Sequence, residues 1–316
     1  MFLPVKADFK LPRFPWLTTM VCALCFGIFL HQVNNWNKFE NALYEFCGQS
    51  RSNITRMIFK EISDNAPDAC LNVMYGIASS NDEQSTIRNM ISEMRPLKSF
   101  SVEDSGLYVS DMLNEELRNY HIKVPAHPDE GLAYYTETWN PLTMIASAFA
   151  HGSWSHIIFN LFFFVAFAAT IEVLIGPIAY IGLFLVVSLF TGVFSSVSAM
   201  ASGSHFSTLG LSGVVMGMMG LFAYLLPKGK IRCYYWVIIF FGSVAIPAWA
   251  LALWYIGGDI YTLFASTDHG MVNVMAHVTG GIAGYLFGII FLQKVRADTR
   301  LMQADADSRA IRARIA

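Results

Sequence analysis

A serine hydroxyl attacks a carbonyl only when a base within hydrogen-bond reach takes its proton. This chain offers such a pair in apolar surroundings: Ser212 within Gly210-Leu211-Ser212-Gly213, and His277 within Ala276-His277-Val278-Thr279-Gly280-Gly281. A further imidazole and carboxamide, His156 and Asn160, lie four residues apart and therefore on one face of a helix. The apolar stretches carrying Ser212 and His277 contain no Asp or Glu, and His277 is the one histidine in the last three apolar stretches. A two-residue Ser-His dyad, with no carboxylate to orient the imidazole, is the arrangement these residues allow. The N–H of Ser212, at the start of a helix, would favour an oxyanion.

The elements that must position these residues are membrane spans. Hydrophobic residues make up 54% of the chain and charged residues 14%, against about 25% charged in soluble domains. Apolar runs predict spans over 15–33, 153–175, 178–199, 210–226, 233–256 and 271–292. Ser212 is 15 residues before Pro227, His277 is 16 before Gln293, and Asn160 is 16 before Gly176. At ~1.5 Å per residue these are heights of about 22–24 Å, so a hydroxyl, an imidazole and a carboxamide from three spans reach nearly one depth. Any one of them alone would be read as a hydrogen bond between packed helices. Their convergence points instead to a site. The span holding Ser212 is short, and the polar segment 200–211 before it is expected to dip inward and admit water. Gly213, Gly217 and Gly220 would let that span approach a neighbour closely.

The distribution of charge sets the topology. Lys6, Lys10 and Arg13 precede the first span, Lys228, Lys230 and Arg232 follow the fourth, and Lys294, Arg296 and Arg300 follow the sixth. The loops 200–209 and 257–270 contain no Lys or Arg. Both termini are therefore expected in the cytoplasm. Residues 34–140 then lie outside, as short amphipathic helices with Trp36, Phe39, Leu43 and Phe46 at helical spacing. Asn81, with Gln84 three positions on, is expected to cap one of these helices. Cys47 and Cys70 would face an oxidising compartment, where they either pair or remain as two thiols on apolar helix faces. Cys22 and Cys25, inside a span, read as small packing residues rather than a redox pair. The net charge of −2 gives no basic surface for nucleic acid.

Taken together, the Gly-x-Ser-Gly sequence, the His-x-x-x-Asn pair and the segment Ala276 to Gly284 resemble the rhomboid family of intramembrane serine proteases in order, spacing and placement. The resemblance covers Trp139 to Leu292 and, by topology, the first span. It implies an all-α, polytopic six-transmembrane-helix bundle, here with an external helical insertion after the first span. The implied parts are a cytoplasmic tail at 1–14, the first span at 15–33, the external region at 34–140, the protease core with spans two to six at 141–293, and a second cytoplasmic tail at 294–316. By resemblance Ser212 is the nucleophile and His277 its base, and His156 and Asn160 supply oxyanion donors. Gly210 and Gly213 permit the turn into the helix. Glu172 matches a structural acid of the family, and His151 an additional histidine of structural role; His205 receives none. Substrates would be transmembrane proteins entering beside span five, beneath a cap at 257–270, with Trp249, Leu263 and Phe264 as gate residues and Gly257, Gly258 and Gly270 as hinges.

The resemblance implies no cofactor and no metal, a place in the lipid bilayer, and, for so compact a core, a bacterial inner membrane. Two departures stand out. Met216 sits where many members carry an aromatic that stacks on the histidine, and the Trp-Arg dipeptide of the first external loop is absent. The rival readings are an inactive rhomboid-like protein that binds client helices, and a small transporter. A transporter would show internal repeats, and none is visible.

Overall fold

The structure is a computed structural model and describes residues 2–7, 11–64, 66–80, 82–98, 100–203, 206–237, 240–265 and 274–301. The chain forms two compact units, Met1–Leu30 with Gly131–Ala316, and His31–Glu130. Helix α1 (Trp16–Gly48) belongs to both. It outruns the expected span of 15–33 because no Pro or Gly interrupts the sequence between Val33 and Gly48.

The smaller unit packs the second half of α1 with α2 (Asn53–Ile62), α3 (Ala69–Ala78), α4 (Glu83–Glu93) and α5 (Val102–Lys123). Phe39, Leu43 and Phe46 form one side of its core, against Ile58, Met74, Ile77, Val109 and Leu113. Helix starts are fixed by side chains that satisfy otherwise free N–H groups. Ser52 accepts from Thr55 N at 3.0 Å, Asp82 from Ser85 N at 2.9 Å and Ser101 from Asp104 N at 3.0 Å. Asp82, not the expected Asn81, thus occupies the cap of α4; Asn81 itself lies outside the described residues. Cys47 and Cys70 form a disulfide, with Cα atoms 5.7 Å apart.

The larger unit is built from α6 (Pro141–Ala146), a 3-10 turn (Ser147–Phe149), α7 (Trp154–Ile175), α8 (Pro177–Ser202), α9 (Ser212–Leu225), α10 (Ala248–Ala265) and α11 (Val274–Phe291). Among the described residues α1, α7, α8 and α11 are long and apolar enough to cross a membrane, and α9 is a shorter apolar helix. This is a mostly helical, multi-pass membrane protein. Gly176, at φ +80°, and Pro177 turn α7 into α8, Gly taking the left-handed region and Pro the first helical position.

The expected helical span at 233–256 is where the structure departs from the sequence reading. Strands β4 (Lys230–Val237) and β5 (Phe240–Pro247) pair antiparallel there, and β1 (Phe2–Ala7) pairs with the other side of β4. Register runs Arg232 to Ala245 and Tyr234 to Ser243. The run is rich in Ile, Val, Tyr, Trp and Phe, which favour pleated pairing, and a continuous apolar run has no periodicity to tell strand from helix. Lys230 and Arg232 consequently stand in a strand rather than a loop. Helix α10 begins after Pro247 and reaches Ala265, so 257–265 is helical rather than a cap loop. Residues 266–273, including Gly270, lie outside the described residues. Trp249 and Trp254 of α10 are exposed, while Tyr255 meets the Phe163 ring of α7 edge-on at 4.9 Å.

Candidate active site

The seam between α9 and α11 is made of glycine. A Cβ placed on Gly220 would penetrate the Gly281 carbonyl oxygen and lie 3.0 Å from its carbon. Gly280 and Gly284 of α11 stand in the same relation to the carbonyls of Gly213 and Gly217. The two backbones are in direct contact, which only residues without Cβ allow. This contact fixes how high the start of α11, with His277, stands against the start of α9, with Ser212.

Ser212 is the first residue of α9. The preceding Gly210 has φ +122°, a conformation L side chains rarely adopt, and its N–H donates to Ser147 O at 2.8 Å. There is no room for a side chain either. A Cβ on Gly210 would lie 2.7 Å from His156 Nε2 and 3.8 Å from Asn160 Nδ2. The His156 and Asn160 face of α7 therefore abuts the backbone that leads into Ser212. On the other side, a Cβ on Gly213 would be 3.5 Å from the carbonyl oxygen of Ala276, the residue before His277. His156 and His277 lie within electrostatic range of each other. Asn160 is buried, and Ser212, His156 and His277 are half-buried. The six residues predicted from the sequence, Ser212, His277, His156, Asn160, Gly210 and Gly213, thus surround one location.

Beneath Ser212 is a small cavity of about 30 Å³, whose lining includes Ser188, Thr191, Ser195, Ser212 and Ala276. A water needs roughly 10–15 Å³ of such volume and two or more polar partners. Thr191 donates to Ser188 O at 3.0 Å, and the buried Ser188 hydroxyl has no hydrogen-bond partner among the described residues. Ser188, Thr191 and Ser195 were not singled out from the sequence. Their spacing of three and four residues along α8 was the available signal, because it sets three hydroxyls on one helix face.

The segment before Ser212 is anchored rather than free. Strand β3 (Ser207–Thr208) pairs with β2 (Tyr134–Tyr135), and Phe206 N donates to Thr136 Oγ1 at 3.2 Å. Ser196 Oγ donates to Thr136 O at 2.5 Å and is in contact with the Tyr134 hydroxyl. His205 lies outside the described residues. His151 is buried with its ring 5.2 Å from that of His156. Met216 is buried one turn after Ser212.

Glu172, near the end of α7, receives the start of α1. Leu17 N and Thr18 N donate to its two carboxylate oxygens at 3.0 and 2.7 Å, and the Thr18 hydroxyl adds a bond of 2.8 Å. A carboxylate thus caps a helix N-terminus from another helix, where free N–H groups and the helix dipole both favour negative charge. Arg13 donates to the carbonyls of Glu172 and Val173 at 3.4 and 3.1 Å. The acid is a structural fastener between two spans.

These helices and this site define a polytopic membrane protein with a polar centre of serine, histidine and asparagine held inside an apolar bundle. Residues 136–294 match the Rhomboid domain, and the chain belongs to the rhomboid family. Among curated proteins it is similar to "Rhomboid protein 1, mitochondrial" of Saccharomyces cerevisiae, at 24% identity over 151 residues. That alignment covers 46% of this chain and 41% of the yeast protein, so the chain spans less than half the length of this relative.

Proposed function

We propose that the protein is an intramembrane serine endopeptidase that cleaves transmembrane segments of other proteins. Ser212 Oγ attacks the scissile carbonyl while His277 takes its proton. The tetrahedral oxyanion is held by His156, Asn160 and the Ser212 N–H. Its collapse breaks the C–N bond, His277 returns the proton to the leaving amine, and an acyl-enzyme remains. Water then attacks the ester with His277 again as base, releasing the acid and the free serine. The observation that carries this reading is the contact of Gly210 with His156 and Asn160 on one side of Ser212, and of Gly213 with Ala276 on the other. The cavity beside Ser212 is large enough for the water that deacylation consumes.

In this reading both termini are cytoplasmic and residues 34–140 are external, in a bacterial inner membrane. The basic residues flanking the spans support this orientation, and so does the Cys47–Cys70 disulfide, which belongs to an oxidising compartment. The test is labelling of the purified protein with a fluorophosphonate probe, together with cleavage of a model transmembrane substrate. Wild type should label and cut, and Ser212→Ala and His277→Ala should do neither. Equal proteolysis by Ser212→Ala would overturn the assignment in favour of a client-binding protein without activity of its own.

A further inference from the structure

The unit His31–Glu130 contains a cavity of about 330 Å³ that none of the proteolytic chemistry uses. This is the size of ordinary ligand pockets. One wall is α2, which presents Arg56 and Lys60 one helical turn apart. Among the described residues neither has a carboxylate within 4.0 Å, although the unit has many acids and pairs Arg51, Arg95 and His121 with them. Arg56 is oriented by Asn53 Oδ1 at 2.5 Å, which positions its charge without neutralising it. The floor is apolar, with Phe59 buried, and the exposed ring of Tyr44 stands at the rim.

The walls are cross-linked. The Cys47–Cys70 disulfide is part of the lining. Arg51 is held by Glu116 Oε2 at 3.0 Å and Cys47 O at 3.2 Å, with its guanidinium 4.6 Å from the centre of the Phe46 ring. A preformed site with two uncommitted cations loses little on binding an anion. Asp68 also lines the cavity, and its side chain makes no capping bond to α3. A carboxylate in the wall repels a phosphate dianion but accepts a peptide N–H.

We infer that this pocket binds an acidic polypeptide segment, with a carboxylate on Arg56 and Lys60, an apolar side chain on Phe59 and Tyr44, and a backbone amide on Asp68. Resting on the proposed proteolysis, the segment is the water-exposed flank of a membrane client, and the pocket selects which clients are cut.

The experiment separates binding from catalysis by using full-length Ser212→Ala protein in detergent micelles. Fluorescence anisotropy is read with a fluorescein-labelled peptide of sequence GSDLEDFSG and with its neutral counterpart GSNLQNFSG. The acidic peptide should bind at least tenfold more tightly than the neutral one. Arg56→Gln combined with Lys60→Gln should remove that preference, and both side chains are exposed, so an unchanged Tm will report an intact fold. Inorganic phosphate at equal ionic strength should compete no better than chloride. Equal binding of the two peptides, an unaltered preference in the double variant, or displacement by phosphate at concentrations where chloride is inert would each overturn the inference. Loss in the double variant of binding to phosphatidylglycerol vesicles, with peptide binding intact, would overturn it in favour of a lipid contact. In active protein, the double variant should raise KM about tenfold for a substrate carrying the acidic flank and leave kcat unchanged. A failure of catalysis in wild type would refute the proteolytic reading while leaving the peptide measurement standing.

Discussion

Replacing Gly284 by Ala should damage catalysis more than it damages the fold. The added methyl would penetrate the Gly217 carbonyl oxygen and lie 2.6 Å from its carbon and 2.9 Å from its Cα. Carbon and carbonyl oxygen in close helix contacts sit about 3.3–3.6 Å apart, so α11 must move away from α9 by roughly an ångström. Overpacking of this kind costs about 1–3 kcal/mol. The same movement carries His277 away from Ser212, and a displacement of about 1 Å at a reacting pair costs roughly 100-fold in rate. Gly182 is the control, because a Cβ there would meet Phe287 at an ordinary 4.0 Å. Thermal unfolding in detergent and kcat on a model transmembrane substrate should show Gly284→Ala modestly destabilised and about 100-fold slower, and Gly182→Ala close to wild type in both. If Gly284→Ala keeps wild-type kcat, the glycine seam does not set the distance between serine and histidine. If its Tm is also unchanged, the backbone contact itself is refuted.

Asn160→Ala should lower kcat by about 10²–10³ with little change in KM, as expected for loss of one oxyanion donor; a pure KM effect would assign Asn160 to substrate binding instead. Glu172→Ala should destabilise the protein by about 3 kcal/mol, because buried N–H groups at the start of α1 lose a charged acceptor. Equilibrium unfolding in mixed micelles measures this, and a change below about 0.5 kcal/mol would show that the cap contributes nothing net. Cys70→Ser should cost the 31–130 unit about 3 kcal/mol by releasing a loop with a sequence separation of 23, seen as faster hydrogen exchange in α2 and α3. His127 lies among Trp36, Phe39 and Tyr75, and its burial lowers its pKa against the opposing pull of Asp129 and Glu130. A histidine that is harder to protonate when folded leaves stability intact above its unfolded pKa of about 6.5 and removes it as pH falls through the folded value. Protection factors of the amides in α1 and α3, taken relative to the intrinsic exchange rate at each pH, should therefore fall below about pH 6.5, and His127→Gln should flatten that dependence.

The sequence determined the parts of this protein that obey a local rule. Spans one, two, three and six were legible because long apolar runs have no other stable environment than a bilayer or a core. Ser212, His277, His156 and Asn160 stood out as candidates because polar groups are costly inside such runs and their spacing sets them at nearly one expected height. The glycines of α9 and α11 were visible as small residues, but only tertiary structure paired Gly213 with Gly280, Gly217 with Gly284 and Gly220 with Gly281. Which backbone touches which depends on helix register, and spacing within one helix says nothing of that. The same holds for Glu172, whose partner is a helix start more than 150 residues away in sequence, and for Cys47 with Cys70, which the sequence left either paired or separate. The segment 230–247 was beyond local reading for a different reason. Its Ile, Val, Tyr and Phe suit a strand and a buried helix alike, and pairing of β4 with β5 on one side and the distant β1 on the other decided between them.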